Sequence, residues 1–254
     1  KPEIQKEGLA LAKVDRQLPV VADCTIDDEG NVKVPFGGLN GSILELILTA
    51  PGFDASSVKK LSLKAPFQSP TGRRRPISTL RNSLENVDVF SGLSALTELS
   101  LRSCEALKNI DGLSGLSALV QVDLFSAGIE NLDGLSGHTD LKNLNLGYCK
   151  SLKNIDGLAK LTKLEELSFS NCEALENLNA LSNLTELKVL NLGNCKALNN
   201  IDGLANLKKL TVLKLNDCTA LENIDALAQL SSLTELDLNG CTSVHDINAL
   251  SELE

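Results

Sequence analysis

Residues 96–118 read LTELSLRSCEALKNIDGLSGLSA. Leu96, Leu99 and Leu101 precede Cys104, and from there an apolar residue returns at every third position: Leu107, Ile110, Leu113 and Leu116. The same arrangement restarts at Leu119, Leu141, Leu164, Leu187, Leu210 and Leu233. Seven units therefore fill 96–254, each of 23 residues except the second and the seventh, which have 22. In the second, Ala127, Gly128 and Ile129 replace a longer turn. Self-similarity at such a period marks a stacked-repeat architecture. The alternation at Leu99 and Leu101 puts both side chains on one face of a short strand. The three-residue spacing after Cys104 suits turns of 3₁₀ geometry rather than long α-helices. One coil of this size cannot bury its own leucines, so each coil must be stabilised by its neighbours. A recurrent acidic or amide residue follows the Ile position (Asp111, Asp133, Asp156, Asn179, Asp202, Asp225 and Asn248), and it is expected to cap the short turn that begins there.

LTELSLRSCEAL at 96–107 and KVLNLGNCKAL at 188–198 resemble the leucine-rich repeat family, whose signature is LxxLxLxx(N/C)xL. The resemblance implies an α/β, right-handed solenoid. Its parallel β-sheet lines the concave face, short 3₁₀ turns form the convex face, and a protein partner binds on the concave side. The period is similar to that of intracellular phosphatase regulators and of bacterial internalins. Cysteine in the Asn column, within NLxxC, is also similar to repeats of kinetoplastid parasites. An internalin-type coil carries Asn in that column and a distinct helical cap, so this chain departs from it there.

Upstream the register weakens. Residues 1–42 read as an N-terminal cap, with an amphipathic helix over Ile4–Asp15 and a β-hairpin whose arms, 22–26 and 31–34, flank the sequence DDEG. Residues 43–95 read as irregular repeats. Strands are expected at 43–48 and 58–63, returning turns at 84–93, and a basic surface loop, QSPTGRRRP, at 68–76. About nine strands spaced at about 4.8 Å give a sheet roughly 40 Å long, enough for a protein interface of standard size. No C-terminal cap is legible before Glu254, so the expected state is a monomer, with an edge-to-edge dimer through that end as the alternative.

Composition narrows the function classes. The 254 residues carry 33 acidic and 24 basic side chains, a formal net charge of −9, which disfavours nucleic acid and anionic membrane as partners. No apolar run reaches the length of a membrane helix, and residues 1–14 lack a signal-peptide core. Cys104, Cys149, Cys172, Cys195, Cys218 and Cys241 share one repeat position, while Cys24 lies apart. Residues 23 apart in a stack form a line instead of converging on a point, so no metal site is expected. Disulfides between adjacent coils are open by distance alone, and the leucine-rich repeat resemblance implies buried structural thiols that hydrogen-bond neighbouring backbone. Unpaired thiols lean towards a reducing, intracellular setting. The sequons at Asn40 and Asn183 are ones that an Asn-rich chain acquires readily by chance. His138 falls on an apolar column and His245 in the last unit, neither beside a nucleophile. No hydrolase, phosphate-loop or metalloprotease motif is present, so neither catalysis nor a cofactor is expected.

The strand residues that flank the inward leucines define the candidate contact surface. Glu98, Gln121, Asn143, Glu166, Val189 and Val212 form one column, and Asp123 and Asn145 belong to the middle one. Arg102 and Phe125 share the next, and Tyr148 stands beside it. Phe125 and Tyr148 are the large apolar groups of this surface and the expected anchor. Glu98, Arg102 and Asp123 are expected to frame them, and Val189 and Val212 to make a flatter second patch. An alternative folds Phe125 over the gap at Ala127. The reading that follows is a non-catalytic protein-binding module, foremost an intracellular scaffold or regulator. The alternatives are a surface or secreted adhesin and a targeting domain of a larger enzyme.

Overall fold

The structure is a computed structural model that describes residues 25–26, 31–33, 54–62 and 84–253. Ten strands among these form one sheet in sequence order: β1 (Thr25–Ile26), β2 (Asn31–Lys33), β3 (Lys60–Ser62), β4 (Glu98–Ser100), β5 (Gln121–Asp123), β6 (Asn143–Asn145), β7 (Glu166–Ser168), β8 (Val189–Asn191), β9 (Val212–Lys214) and β10 (Glu235–Asp237). β1 and β2 pair antiparallel, as the hairpin predicts, and every later neighbour pairs parallel. Eight parallel strands, β3 to β10, thus form the unclosed sheet of a leucine-rich repeat solenoid. The expected helix at 4–15, the strand at 43–48, the loop at 68–76, Cys24 and Asn40 lie outside the described residues. The upstream neighbour of β3 among the described residues is β2, whose Val32 is in register with Leu61.

Register follows from the hydrophobic pattern. Leu61, Leu99, Val122, Leu144, Leu167, Leu190 and Leu213 are aligned from strand to strand and all buried. A slip of one residue would turn that whole column to solvent. At each strand entry one carbonyl accepts two N–H groups from the next coil, as when Lys142 and Asn143 both donate to Val120. On the other side the three-residue period forms 3₁₀ turns, among them Asp111–Leu113, Asp156–Leu158 and Asp202–Leu204. Those turns stack closely. A Cβ on Gly157 would fall 2.0 Å from the Leu132 carbonyl oxygen, so glycine there lets two coils touch through their backbones.

The capping expectation is corrected. Asp111, Asp156 and their equivalents are the first residues of their turns, and the residue before each turn makes no side-chain capping bond. The side-chain oxygen comes from two residues earlier. Asn109 Oδ1 accepts the Asp111 N–H at 2.6 Å, Asn131 that of Asp133 at 3.1 Å, Asn154 that of Asp156 at 2.7 Å and Asn200 that of Asp202 at 2.6 Å. The short side chain of asparagine closes this local turn, and the aspartate beyond it faces solvent.

The thiols form the expected ladder. Cys149, Cys172, Cys195, Cys218 and Cys241 each donate Sγ–H to a carbonyl of the preceding coil, on Leu124, Leu146, Phe169, Leu192 and Leu215, at 3.0 to 3.2 Å. The last coil differs in burial. Leu233, Leu236, Leu238, Cys241 and Val244 are only partly covered and Ile247 is 61% exposed, whereas Leu210, Leu213, Leu215, Cys218, Leu221 and Ile224 one coil earlier are buried. No helix among the described residues is long and apolar enough to cross a membrane.

Candidate partner-binding face

The outward residues of each strand sit in three columns, and a fourth column follows where the chain turns away from the sheet. That fourth column is left-handed throughout: Ser103, Ser126, Tyr148, Asn171, Asn194 and Asp217 have φ of 58 to 65°, and Gly240 has 74°. Small polar residues and glycine tolerate this conformation, while a bulky side chain there is an outlier. Tyr148 is therefore held at a backbone cost. It is also exposed, at 43%, and with Ile247 of the last coil it makes up the exposed large hydrophobics among the described residues.

Three coils build the surroundings of Tyr148. Its ring lies 5.0 Å from that of Phe125, tilted by 46°, and the Arg102 guanidinium covers Phe125 at 4.3 Å from the ring centre. Arg102 Nη1 in turn donates to Asp123 Oδ2 at 2.9 Å. Gly147 makes the space for this stack, since a Cβ there would come 3.1 Å from Phe125 Cδ2. Phe125 is half-buried and leans over the Gly147 position of the next coil. Arg102, Asp123, Phe125 and Tyr148 thus come together. Glu98 does not join them; it pairs with Lys60 at 2.8 Å on the upstream side.

Next to Tyr148, from Asn145 to Gly193, the middle of the floor is small and uncharged. The side-chain oxygens of Asn145, Ser168 and Asn191 accept the N–H groups of Gly147, Ser170 and Gly193 at 3.1, 3.5 and 3.0 Å. The amide Nδ2 groups of Asn145 and Asn191 remain as donors towards the concave side. Val189 and Val212, half-buried and in register, form the second patch, and exposed Gln121 and Glu166 and half-buried Asn143 complete that column. At the upstream end, the buried hydroxyls of Ser62 and Ser100, paired in register, have no hydrogen-bond partner. The sequence places Gly147 in its column without the role of admitting the aromatic stack, and Asp217, in the left-handed column, escapes the sequence reading. The signal for both was column position.

His138 is fully buried. Its Nδ1 lies 3.1 Å from the Leu135 carbonyl oxygen and its Nε2 3.0 Å from that of Leu113, on the preceding coil. It is part of the core and offers no group to a ligand.

Stacked parallel strands, a leucine spine and a cysteine ladder define a leucine-rich repeat solenoid with an open concave face. The chain belongs to the BspA-type leucine-rich repeat region family, whose profile matches residues 79–197 and 139–254 in six copies. Proteins of this class are in general interaction modules without catalytic machinery. Three solved structures share the fold. Internalin C2 from Listeria monocytogenes is 22% identical, with a TM-score of 0.60, over 85% of this chain and 90% of that one. The leucine-rich repeat domain of the type III effector XopL is 21% identical, with a TM-score of 0.50, over 65% and 68%. TLR13, in complex with ssRNA13, is 22% identical, with a TM-score of 0.58, over 79% and 32%. No curated protein matches the sequence.

Proposed function

We propose that this chain is a non-catalytic module that grips a protein partner on its concave face, with Tyr148 as anchor and Phe125 and Arg102 as its rigid support. The observation that carries the reading is Tyr148 itself. An aromatic residue that adopts φ 62° and stays 43% exposed costs backbone energy and returns little burial, a combination found where a binding surface is the reason for the residue. Pre-stacking against Phe125 lowers the entropy lost when a partner packs on the ring. Glu98, Gln121, Asn143, Asn145, Glu166, Val189 and Val212 would form the surrounding contacts.

Tyr148→Asn tests this cleanly, because Asn171 and Asn194 hold the same left-handed position in the next two coils. The variant is expected to melt within a few degrees of the wild type and to lose the proteins that wild type retains from an extract of its source. Unchanged retention would refute the anchor. Phe125→Ala is a poorer probe, since the ring supports Arg102 and Tyr148 and its loss would disturb the face.

The favoured setting is an intracellular scaffold or regulator, supported by five stacked thiols from Cys149 to Cys241 without a disulfide among them. Display outside the cell is the second reading. It is favoured by the hydrogen-bonded burial of Cys149, Cys172, Cys195 and Cys218, which needs no reducing surroundings. Labelling of intact source cells with a membrane-impermeant reagent separates the two.

A further inference from the structure

The charges of the outward columns of the concave face are not balanced: carboxylates exceed cations there. Each basic side chain on this face, among the described residues, is tied to a carboxylate on an adjacent strand: Lys60 to Glu98 at 2.8 Å, Arg102 to Asp123 at 2.9 Å and Lys214 to Glu235 at 3.4 Å. At the strand-entry edge Lys142 and Lys188 share the single carboxylate of Glu165, at 3.0 and 2.7 Å, and exposed Lys59 is in no ion pair among the described residues, so positive charge remains along that edge, where Lys188 also feels Glu166. Three carboxylates are left over. Glu166 and Asp217 are exposed and Asp237 half-exposed, and none has an ion-pair partner among the described residues; Asp217 accepts only the Asn216 amide, and Asp237 the Asn239 N–H.

These groups lie on the same side of the sheet as Tyr148. Asp217 is three coils further along its column, about 14 Å away at the usual strand spacing. Glu166 stands one coil on, at the entry end of its strand. Between them the floor presents the Nδ2 donors of Asn145 and Asn191, whose oxygens are already engaged by backbone N–H groups. Such a floor suits an occupant with exposed carbonyl acceptors.

We propose that the concave face takes a basic polypeptide segment, whose backbone carbonyls accept from Asn145 and Asn191 and whose lysine or arginine side chains answer Glu166, Asp217 and Asp237 while an apolar side chain seats on Tyr148. This rests on the concave-face reading above and adds the chemistry of the partner. Along the three outward columns the same field disfavours acidic protein surfaces. Since the three carboxylates are solvated, they act mainly on encounter rate and partner choice, and their effect fades once the screening length falls below about 10 Å.

The test is selection of random phage-displayed peptides on wild type, on Tyr148→Asn and on the triple variant Glu166→Gln, Asp217→Asn, Asp237→Asn, each verified as folded by circular dichroism. The expected peptides need Tyr148, carry net positive charge, and bind the triple variant about tenfold or more weakly. Their association rate falls steeply with added salt. Peptides that need Tyr148 but are neutral or acidic, or that bind the triple variant as well as wild type, overturn the charge inference and leave the anchor standing. Peptides indifferent to Tyr148→Asn, or no enrichment on wild type, overturn both.

Discussion

His138 stands in a column that is otherwise leucine, with Leu116, Leu161, Leu184, Leu207 and Leu230 as its equivalents, all fully buried. Both of its ring nitrogens lie within hydrogen-bond reach of carbonyl oxygens, at 3.1 and 3.0 Å. Those carbonyls have other partners: Leu135 O also accepts the His138 N–H at 3.0 Å, and Leu113 O the Leu116 N–H at 2.8 Å. Removing the ring therefore strands no acceptor. His138→Leu is expected to match or exceed wild-type stability, by up to about 1 kcal/mol, because it replaces a buried polar group with the side chain the column already packs. His138→Ala leaves a cavity and should cost about 2–4 kcal/mol. Urea denaturation of both decides the matter, and a His138→Leu variant as unstable as His138→Ala would show that the bonds to the two coils outweigh packing. The column assignment was readable from the repeat alignment. The hydrogen bonds were not, because they depend on how near the preceding coil lies.

At the level of the turn, the asparagine two residues ahead of the 3₁₀ segments from Asp88–Phe90 to Asp225–Gln229 does the capping, and Asp246 takes that place in the last coil. Asn154→Ala should cost about 1 kcal/mol, while Asp156→Ala should stay within about 0.5 kcal/mol, since the Asp156 side chain closes no bond to its own turn. Equal costs in thermal unfolding would restore the aspartate to the capping role that the sequence pattern suggests. The error is instructive. A polar residue beside an apolar triplet announces a turn, but which of two neighbouring oxygens reaches the N–H depends on φ and ψ at Ile155, −117° and 16°, and these are not encoded in a spacing. The strands were more transparent. Leu99 and Leu144 alternate with polar neighbours, and an apolar residue returns at this position in every unit, so face and register followed together. The candidate site fell between: the columns holding Arg102, Phe125 and Tyr148 were legible, but the stack they form required Gly147, whose contribution is an absent side chain.

For the whole molecule the governing fact is that each coil touches only its neighbours, so opening should proceed from an end and grow costlier with each coil removed. The thiol ladder reports this directly, with one cysteine per coil from Cys149 to Cys241. Burial pushes the Cys149, Cys195 and Cys218 thiols up from 9.0 to about 12, raises Cys172 further, and raises Cys241. A thiol whose value is raised by folding supports the fold fully at pH below the ordinary thiol value. That support is lost as pH climbs from 9.0 to about 12, because the unfolded chain ionises first. Stability should accordingly decline across this window, and the decline should shrink in Cys149→Ala, compared by urea denaturation at successive pH values. Below it, reaction with a thiol reagent requires opening, since the thiolate is the reactive form and the sulfurs are sealed. Under native conditions in the 254-residue chain, labelling mapped by peptide mass spectrometry should reach half-covered Cys241 first, then Cys218, then Cys195, with Cys172 and Cys149 slower still. Simultaneous labelling of all five would mean that the solenoid opens as one cooperative unit. Labelling of Cys149 ahead of Cys218 would instead place the weakest junction at the short second unit, where Ala127 interrupts the ladder.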